Sequence, residues 1–502
     1  AALASSASMM TLRAVQLRSV GVAATSARRT FSVSTAQAKS SLPDVVLVDG
    51  CRIPFQPSGG AYNDLMAYDL SRMALHGLLT KTAVKPTDID YVLWGTVIQE
   101  VKTSNIARDA SIGAGIPSNV PAHTVTQACI SANQAICSAI SQIQTGNAEV
   151  VIAGGVETFS DVPIRFSRPM RKAFLGLGKA KTMSKKMKLF SGVKAKDLAP
   201  EAPAIANFTT GEVMGHNTDR LCDRFGITRE EQDAYALRSH QAANKAHIDG
   251  IFDEEITPVN GSTEEGGIRK DATMEKMASL KAAFVKPHGT VTAANSSFLT
   301  DGAAATLLMN KAKAEALGFA PKAYLREWVF VSCDPFEDLL LGPTYAVTSV
   351  LKKAGLTLKD IDVIEFHEAF AGQILSNLKA LDSDAFFAKS MPGTQKVGAV
   401  PMEKFNVHGG SLSLGHPFGA TGARLVTTVA NRHAARGWGG LRDNVAHAFE
   451  QFPSFVHVGG AASSPPQFLH FCHCFLFSEP CSVLCSTFRM PFNGWPHGGL
   501  FE

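Results

Sequence analysis

Short apolar runs alternate with helical patterns through residues 44–160: "VVLVDG", then "DLMAYDLSRMALHGLLTKT", then "DYVLWGTVI". After Cys129 comes "SANQAICSAISQIQTG", followed by "AEVVIAGG". Strand, helix and strand in this order predict a largely parallel or mixed sheet covered by helices. The helix from about Ser131 is expected to stop at Gly146, because glycine takes the left-handed backbone that ends a helix. The pattern also echoes itself. "KPTDIDYVLWGT" at 85–96 resembles "TLKDIDVIEFHE" at 357–368, each after an amphipathic helix and before an apolar strand. Two copies of one unit imply a duplicated core.

Between the copies the pattern changes. From Arg165 to Lys196 there are eleven Lys or Arg and no acid, interleaved with Phe166, Met170, Phe174, Leu175 and Met187. A basic segment with bulky apolar residues suits an anionic membrane surface, as a helix or hairpin. A solvated lysine-rich loop, a phosphorylated substrate or an acidic partner would use the same residues.

Composition narrows the class. The 502 residues are 45% hydrophobic and 18% charged with net charge +4, ordinary for a globular protein and too mild to imply nucleic acid. No apolar run approaches the roughly eighteen residues that span a bilayer. Residues 1–43 contain no Asp or Glu, with Arg13, Arg18, Arg28 and Arg29 among Ala, Ser and Thr. That composition predicts a mitochondrial transit peptide over 1–38, and so a matrix protein. In the matrix the nine cysteines are expected to stay thiols. Cys472 and Cys474 have no second ligand pair at a zinc-finger spacing, so no metal is expected.

Three places carry candidate chemistry. "TVTQACISAN" sets Cys129 between an extended run and a small-residue helix. In "EFHEAFAGQ" a strand ending at Phe366 delivers His367 and Glu368 to its edge. In "NVHGGSLSLGHPFGATGAR", His416 sits inside a glycine-dense loop that allows close approach of chain and ligand, with a helix beginning near Gly422.

"QACISANQAI", "HEAFA" and the glycine-rich segment 406–424 together resemble the nucleophile, oxyanion and histidine motifs of the thiolase family, over about Val45 to Arg432. The resemblance implies an α/β fold with two βαβαβαββ halves in a five-layer α-β-α-β-α arrangement and an inserted loop domain. It divides the chain into 44–164 plus 281–312 as the N-terminal half, 165–280 as the loop domain and 313–440 as the C-terminal half. It implies a 3-ketoacyl-CoA thiolase of fatty-acid β-oxidation, with coenzyme A as co-substrate and no bound cofactor. Cys129 would be the nucleophile, its thiol pKa lowered by the following helix N-terminus. His416 would take the thiol proton and then, with His367, hold the oxyanion. His367 stands where most thiolases place Asn. With the basic insertion it implies association with a hydratase–dehydrogenase α subunit, homo-dimerisation, and peripheral inner-membrane contact through 165–196. The motifs do not give the coenzyme A contacts.

One feature departs from the family. Thiolases carry a second cysteine as acid and base, about thirty residues beyond the histidine of "GHP". Here no cysteine lies between Cys333 and Cys472. Residues 441–502 show neither a sustained helical nor an alternating pattern. They read as an alternative or mistranslated end, expected to be poorly ordered and to remove a core strand, or as a replacement bringing a new acid/base group. Two rival readings follow: a non-catalytic isoform or scaffold, and a ketoacyl-synthase-like condensing enzyme using Cys129, His367 and His416 alone.

Overall fold

The computed structural model describes residues 42–325 and 327–435, together with strands at 455–458 and 469–474. The segment read as a transit peptide lies outside the described residues. Among the described residues eleven strands build two sheets. The first contains β1 (Val45–Arg52), β2 (Gln56–Pro57), β3 (Tyr91–Gly95), β4 (Ala122–Val125), β5 (Val150–Glu157), β6 (Thr300–Asn310) and β7 (Ala323–Leu325). Its order is β4-β3-β5-β6-β1-β7, with β2 joined to β6. The β3·β4 and β3·β5 pairs are parallel, whereas β5·β6, β6·β1 and β1·β7 are antiparallel. The sheet is therefore mixed, as the alternation of strand and helix predicts.

β5 and β6 are buried on both faces, which is why they read as near-continuous apolar runs rather than as alternating ones. Val46, Val92, Trp94 and Ile152 face one apolar cluster with the helix Ala67–Thr82. Val45, Leu47, Leu93 and Val151 face another. That second cluster takes in the helices Ser131–Gln144 and Thr421–Ala434 and continues to Ile361 and Val363 of the second sheet. The layers are thus helix, sheet, a central pair of helices, sheet and helix. Close packing at the centre is visible at Gly50, where an added Cβ would overlap the Thr427 side chain.

The second sheet has the order β8-β11-β10-β9, with β8 at Val329–Ser332, β9 at Ile361–Glu365, β10 at Phe455–Val458 and β11 at Leu469–Cys474. Two segments of the tail depart from the expectation of a lost core strand, while the rest of 441–502 lies outside the described residues. The tail's sequence shows no strand pattern, yet these two segments pair into this sheet: β10 lies antiparallel to β9 and β11 parallel to β8. Phe405 adds a parallel bridge to Ile364 on the far side of β9.

The sequence echo takes one form in both places. A single 3-10 turn, Pro86–Asp88, leads into β3, and another, Leu358–Asp360, leads into β9. Between β5 and β6 lies the long insertion. Its basic stretch forms two short helices, Arg168–Leu177 and Met183–Phe190. Phe174 packs edge-on against Phe190, with ring centroids 5.7 Å apart, while Leu175 and Met187 are exposed. Further on, the helix Arg229–Ile248 begins with a reciprocal cap. Thr228 Oγ1 accepts from the Glu231 N–H and Glu231 Oε2 accepts from the Thr228 N–H. Among the described residues no helix is long and apolar enough to cross a membrane.

Candidate active site

Cys129 sits in the connection from β4 to the helix Ser131–Gln144. Ala128 just before it has φ +46°, a left-handed conformation that costs an ordinary residue of order 1 kcal/mol and marks a constrained turn. Ser131 seals that turn. Its Oγ accepts from the Gln127 N–H at 2.8 Å and donates to the Ala128 carbonyl at 2.7 Å. The thiol opens into an apolar cavity of about 320 Å³ lined by Val97, Ile98, Phe159, Met214, Leu299 and Phe418, with residues 202–207 closing it.

The expected lowering of the thiol pKa is not found. Burial pushes the Cys129 thiol up, and the nearby Glu157 carboxyl adds to the rise. Cys129 is half-buried and lines this apolar cavity, where a thiolate is solvated less well than in bulk water. It also precedes the first helical residue, Ser131, by two positions, so the helix terminus does not offset that cost.

His367 follows β9 by two residues and is fully buried. Asn406, at φ +43°, clamps the backbone in front of it: its Oδ1 accepts from the Phe366 N–H and its Nδ2 donates to the Phe366 carbonyl. Asparagine tolerates this left-handed conformation better than most residues do. Behind the clamp, Glu368 accepts from Tyr235 Oη at 2.9 Å, Ser239 Oγ at 2.7 Å and Asn406 Nδ2 at 2.9 Å. Residues of the insertion thereby fix the segment that carries His367.

His416 is 3% exposed and is held from the first sheet, its N–H donating to Thr300 Oγ1 at 3.0 Å at the start of β6. The His367 and His416 rings lie with centroids 3.9 Å apart, and His416 stacks at 4.8 Å on Phe418, a wall of the Cys129 cavity. Burial holds both imidazoles well below the ordinary histidine pKa, with the buried Arg424 guanidinium acting the same way. For His367 the neighbouring His416 contributes as well. Both rings are neutral at pH 7.

Sequence reasoning missed several residues that build this region. Glu157 ends β5 and is buried, accepting backbone N–H groups from Val97 and Ile98 on the cavity wall and from Gly419 in the histidine loop. Burial outweighs those three donors and raises its pKa to about 8. Ser411 and Arg424 also lie behind His367. Like Asn406 and Glu368 they stood inside the quoted motifs, but only the fold shows what they hold. A cleft of about 360 Å³ opens on the far side of Leu412, with Arg269, Lys276, His240, Ser296 and Phe298 around it. A wider cleft of about 650 Å³ beside His216 and Asp219 contains none of the predicted residues. Among the described residues no group of three His, Cys, Asp or Glu side chains could hold a metal ion.

The chain belongs to the thiolase family: the sequence pattern of the thiolase N-terminal domain matches residues 45–312, and that of the C-terminal domain matches 319–441. It is 55% identical over 421 residues to "Trifunctional enzyme subunit beta, mitochondrial" of Bos taurus, covering 83% of this chain and 87% of that one. It is 52% identical over 410 residues to the "Probable 3-ketoacyl-CoA thiolase" of Caenorhabditis elegans, covering 80% and 91%. Among solved structures it resembles human mitochondrial 3-ketoacyl-CoA thiolase in complex with CoA. The TM-score is 0.68 at 29% identity, over 83% of this chain and 98% of that chain.

Proposed function

We propose that this chain performs acyl transfer from a 3-ketoacyl-CoA to Cys129, the first half of a mitochondrial thiolase reaction. The observation that carries the reading is the thiol on a constrained turn facing an apolar cavity whose Phe418 wall stacks on His416, itself beside His367. The raised thiol pKa means that the proton leaves only as attack begins. His416 takes it through a ring nitrogen lone pair, and the sulfur adds to the keto carbonyl carbon. A neutral N–H donor on His367 and the N–H that His416 gains with the thiol proton hold the resulting oxyanion, a contact whose loss typically costs about 2.7–4 kcal/mol of transition-state stabilisation. Collapse breaks the C2–C3 bond, leaving an acyl thioester on Cys129 and the acetyl-CoA carbanion, which needs a proton.

The family's donor of that proton is the second cysteine, which this sequence lacks between Cys333 and Cys472. Acylation without efficient turnover is therefore the expected behaviour. The cleft beyond Leu412, with Arg269 and Lys276 at its rim, suits the pantetheine arm and phosphates of coenzyme A. The basic hairpin with exposed Leu175 and Met187 suits the inner membrane, peripherally from the matrix side. The bovine relative's name supports association with an α subunit. The missing cysteine also favours a second reading, in which the chain is a non-catalytic scaffold for that partner.

Mass spectrometry after incubation with a 3-ketoacyl-CoA, beside a turnover assay, tests the proposal. An acyl adduct on Cys129 with weak turnover supports it. No adduct favours the scaffold, and full turnover shows that another group replaces the second cysteine.

A further inference from the structure

We infer that Ser411 and Arg424 are positioning residues that fix the tautomer of His367, placing its ring proton on Nε2 and leaving the two adjacent histidines in opposite tautomers. This rests on reading His367 as an oxyanion donor and His416 as the base. Ser411 Oγ lies 2.8 Å from His367 Nδ1 and 3.2 Å from Arg424 Nη2, with all three side chains buried. A guanidinium can only donate, so the Ser411 oxygen accepts from Arg424. The hydroxyl hydrogen then needs an acceptor, and among the described residues Ser411 Oγ has only one other contact, His367 Nδ1. Donation there makes Nδ1 the acceptor. A neutral imidazole carries one proton, so that proton is on Nε2, the form that can donate to an oxyanion. The guanidinium charge also opposes protonation of the ring, which removes the doubly protonated alternative.

His416 has a hydroxyl neighbour too, with Thr421 Oγ1 2.6 Å from its Nδ1. The setting differs in one respect. Thr421 Oγ1 has a second acceptor, the Pro417 carbonyl at 3.1 Å, and no guanidinium touches it. Thr421 can therefore accept from His416 Nδ1–H while donating to Pro417, leaving the Nε2 lone pair for the Cys129 proton. Two rings that look alike in the sequence thus take different jobs because their hydroxyl partners have different second contacts. Two donor tautomers would leave no base for the thiol proton, and two acceptor tautomers would leave no donor at the carbonyl until that proton had moved.

Ser411→Ala and Ser411→Thr in the full chain test this. In ¹⁵N-histidine-labelled protein, with His367 assigned by loss of its signals in His367→Asn, the wild type is expected to show His367 Nδ1 as the unprotonated nitrogen. Ser411→Thr keeps that signature and Ser411→Ala loses it. Single-turnover acylation of Cys129 is expected to slow by roughly a hundredfold in Ser411→Ala, the size of losing one oxyanion donor, and to return in Ser411→Thr. Alkylation of Cys129 by iodoacetamide, which needs no oxyanion donor, stays unchanged in both and reports that the site is folded. A wild-type His367 protonated on Nδ1, or Ser411→Ala acylating at the wild-type rate, overturns the inference. If the wild type is never acylated, the acyl-transfer reading fails, and the nitrogen signals alone decide the tautomer.

Discussion

The two sheets repeat one order of strands but not one set of directions. Reading from the edge, β4, β3, β5, β6 and β1 of the first correspond to the Phe405 bridge, β9, β10, β11 and β8 of the second. In the first sheet the β3·β5 pair is parallel and β6·β1 antiparallel. In the second the matching pairs are reversed, β9·β10 antiparallel and β11·β8 parallel. The lengths differ as well: β5 and β6 run eight and eleven residues, β10 and β11 four and six. A sheet edge offers hydrogen-bonding groups to a strand of either sense, so the positions beside β9 and β8 can be filled by segments that do not reproduce the first half. What such a filling does not restore is a catalytic group at a fixed point beyond the last strand. The sequence carries the family's nucleophile and histidine motifs but no cysteine between Cys333 and Cys472.

That contrast can be broken directly. Replacing the residues after Ala435 with a thiolase C-terminal segment that carries the family's second acid/base cysteine is expected to raise thiolysis turnover by about a hundredfold or more, the usual scale of general acid–base catalysis. Cys129 acylation should change far less. An unchanged turnover in the graft would place the defect elsewhere.

Each half also carries a buried arginine. Arg52 pairs with Glu255 and Glu265, and Arg432 pairs with Glu365 while reaching the Lys404 carbonyl. Removing either leaves a carboxylate buried without its cation, which costs about 3–5 kcal/mol. Arg52→Met strands two carboxylates and Arg432→Met one, so chemical denaturation should rank Arg52→Met as the less stable variant.

The seam between the halves gives a smaller effect. A Cβ on Gly155 would overlap the Gly419 carbonyl, and one on Gly419 would overlap that of Val156. Gly155→Ala is expected to cost about 1–3 kcal/mol and to slow Cys129 acylation by displacing the histidine loop, while alkylation of the thiol persists. Single-turnover measurements on the variant check both parts.

The smallest effect is on pH. Glu157 has its folded pKa raised to about 8, above its ordinary value, so the folded state binds the extra proton. The resulting stability is full below about pH 4.5 and is lost as pH rises through 8. Thermal unfolding of the wild type should therefore show a falling midpoint between pH 6 and 9, and Glu157→Gln should flatten that slope.

Much of the fold was legible because its signals are local. The helix begins at Ser131 as its pattern predicts, and β9 ends one residue before the predicted Phe366. Cys129, His367 and His416 were singled out from motifs; the structure sets the two imidazoles 3.9 Å apart, with His416 against Phe418 of the cysteine's cavity, while neither histidine itself lines that cavity. The thiol pKa was not legible, since it depends on what surrounds the sulfur rather than on the nearby helix. Nor were Ser411 and Glu157, whose importance lies in contacts with residues far along the chain. The tail strands escaped because short strands held by backbone pairing need no side-chain alternation.

The distance along the chain between Glu157 and Gly419 has a consequence for how the molecule is made. That hydrogen bond closes a loop of 262 residues, and the one from His416 to Thr300 closes 116. Contacts of such long range form late, since the chain loses loop entropy before it gains them. On the ribosome the Cys129 turn emerges with its neighbours, but the imidazoles cannot reach it until the histidine loop has been synthesised. Acyl transfer to Cys129, as proposed, therefore waits for the closure of these long loops, whereas alkylation of the thiol does not.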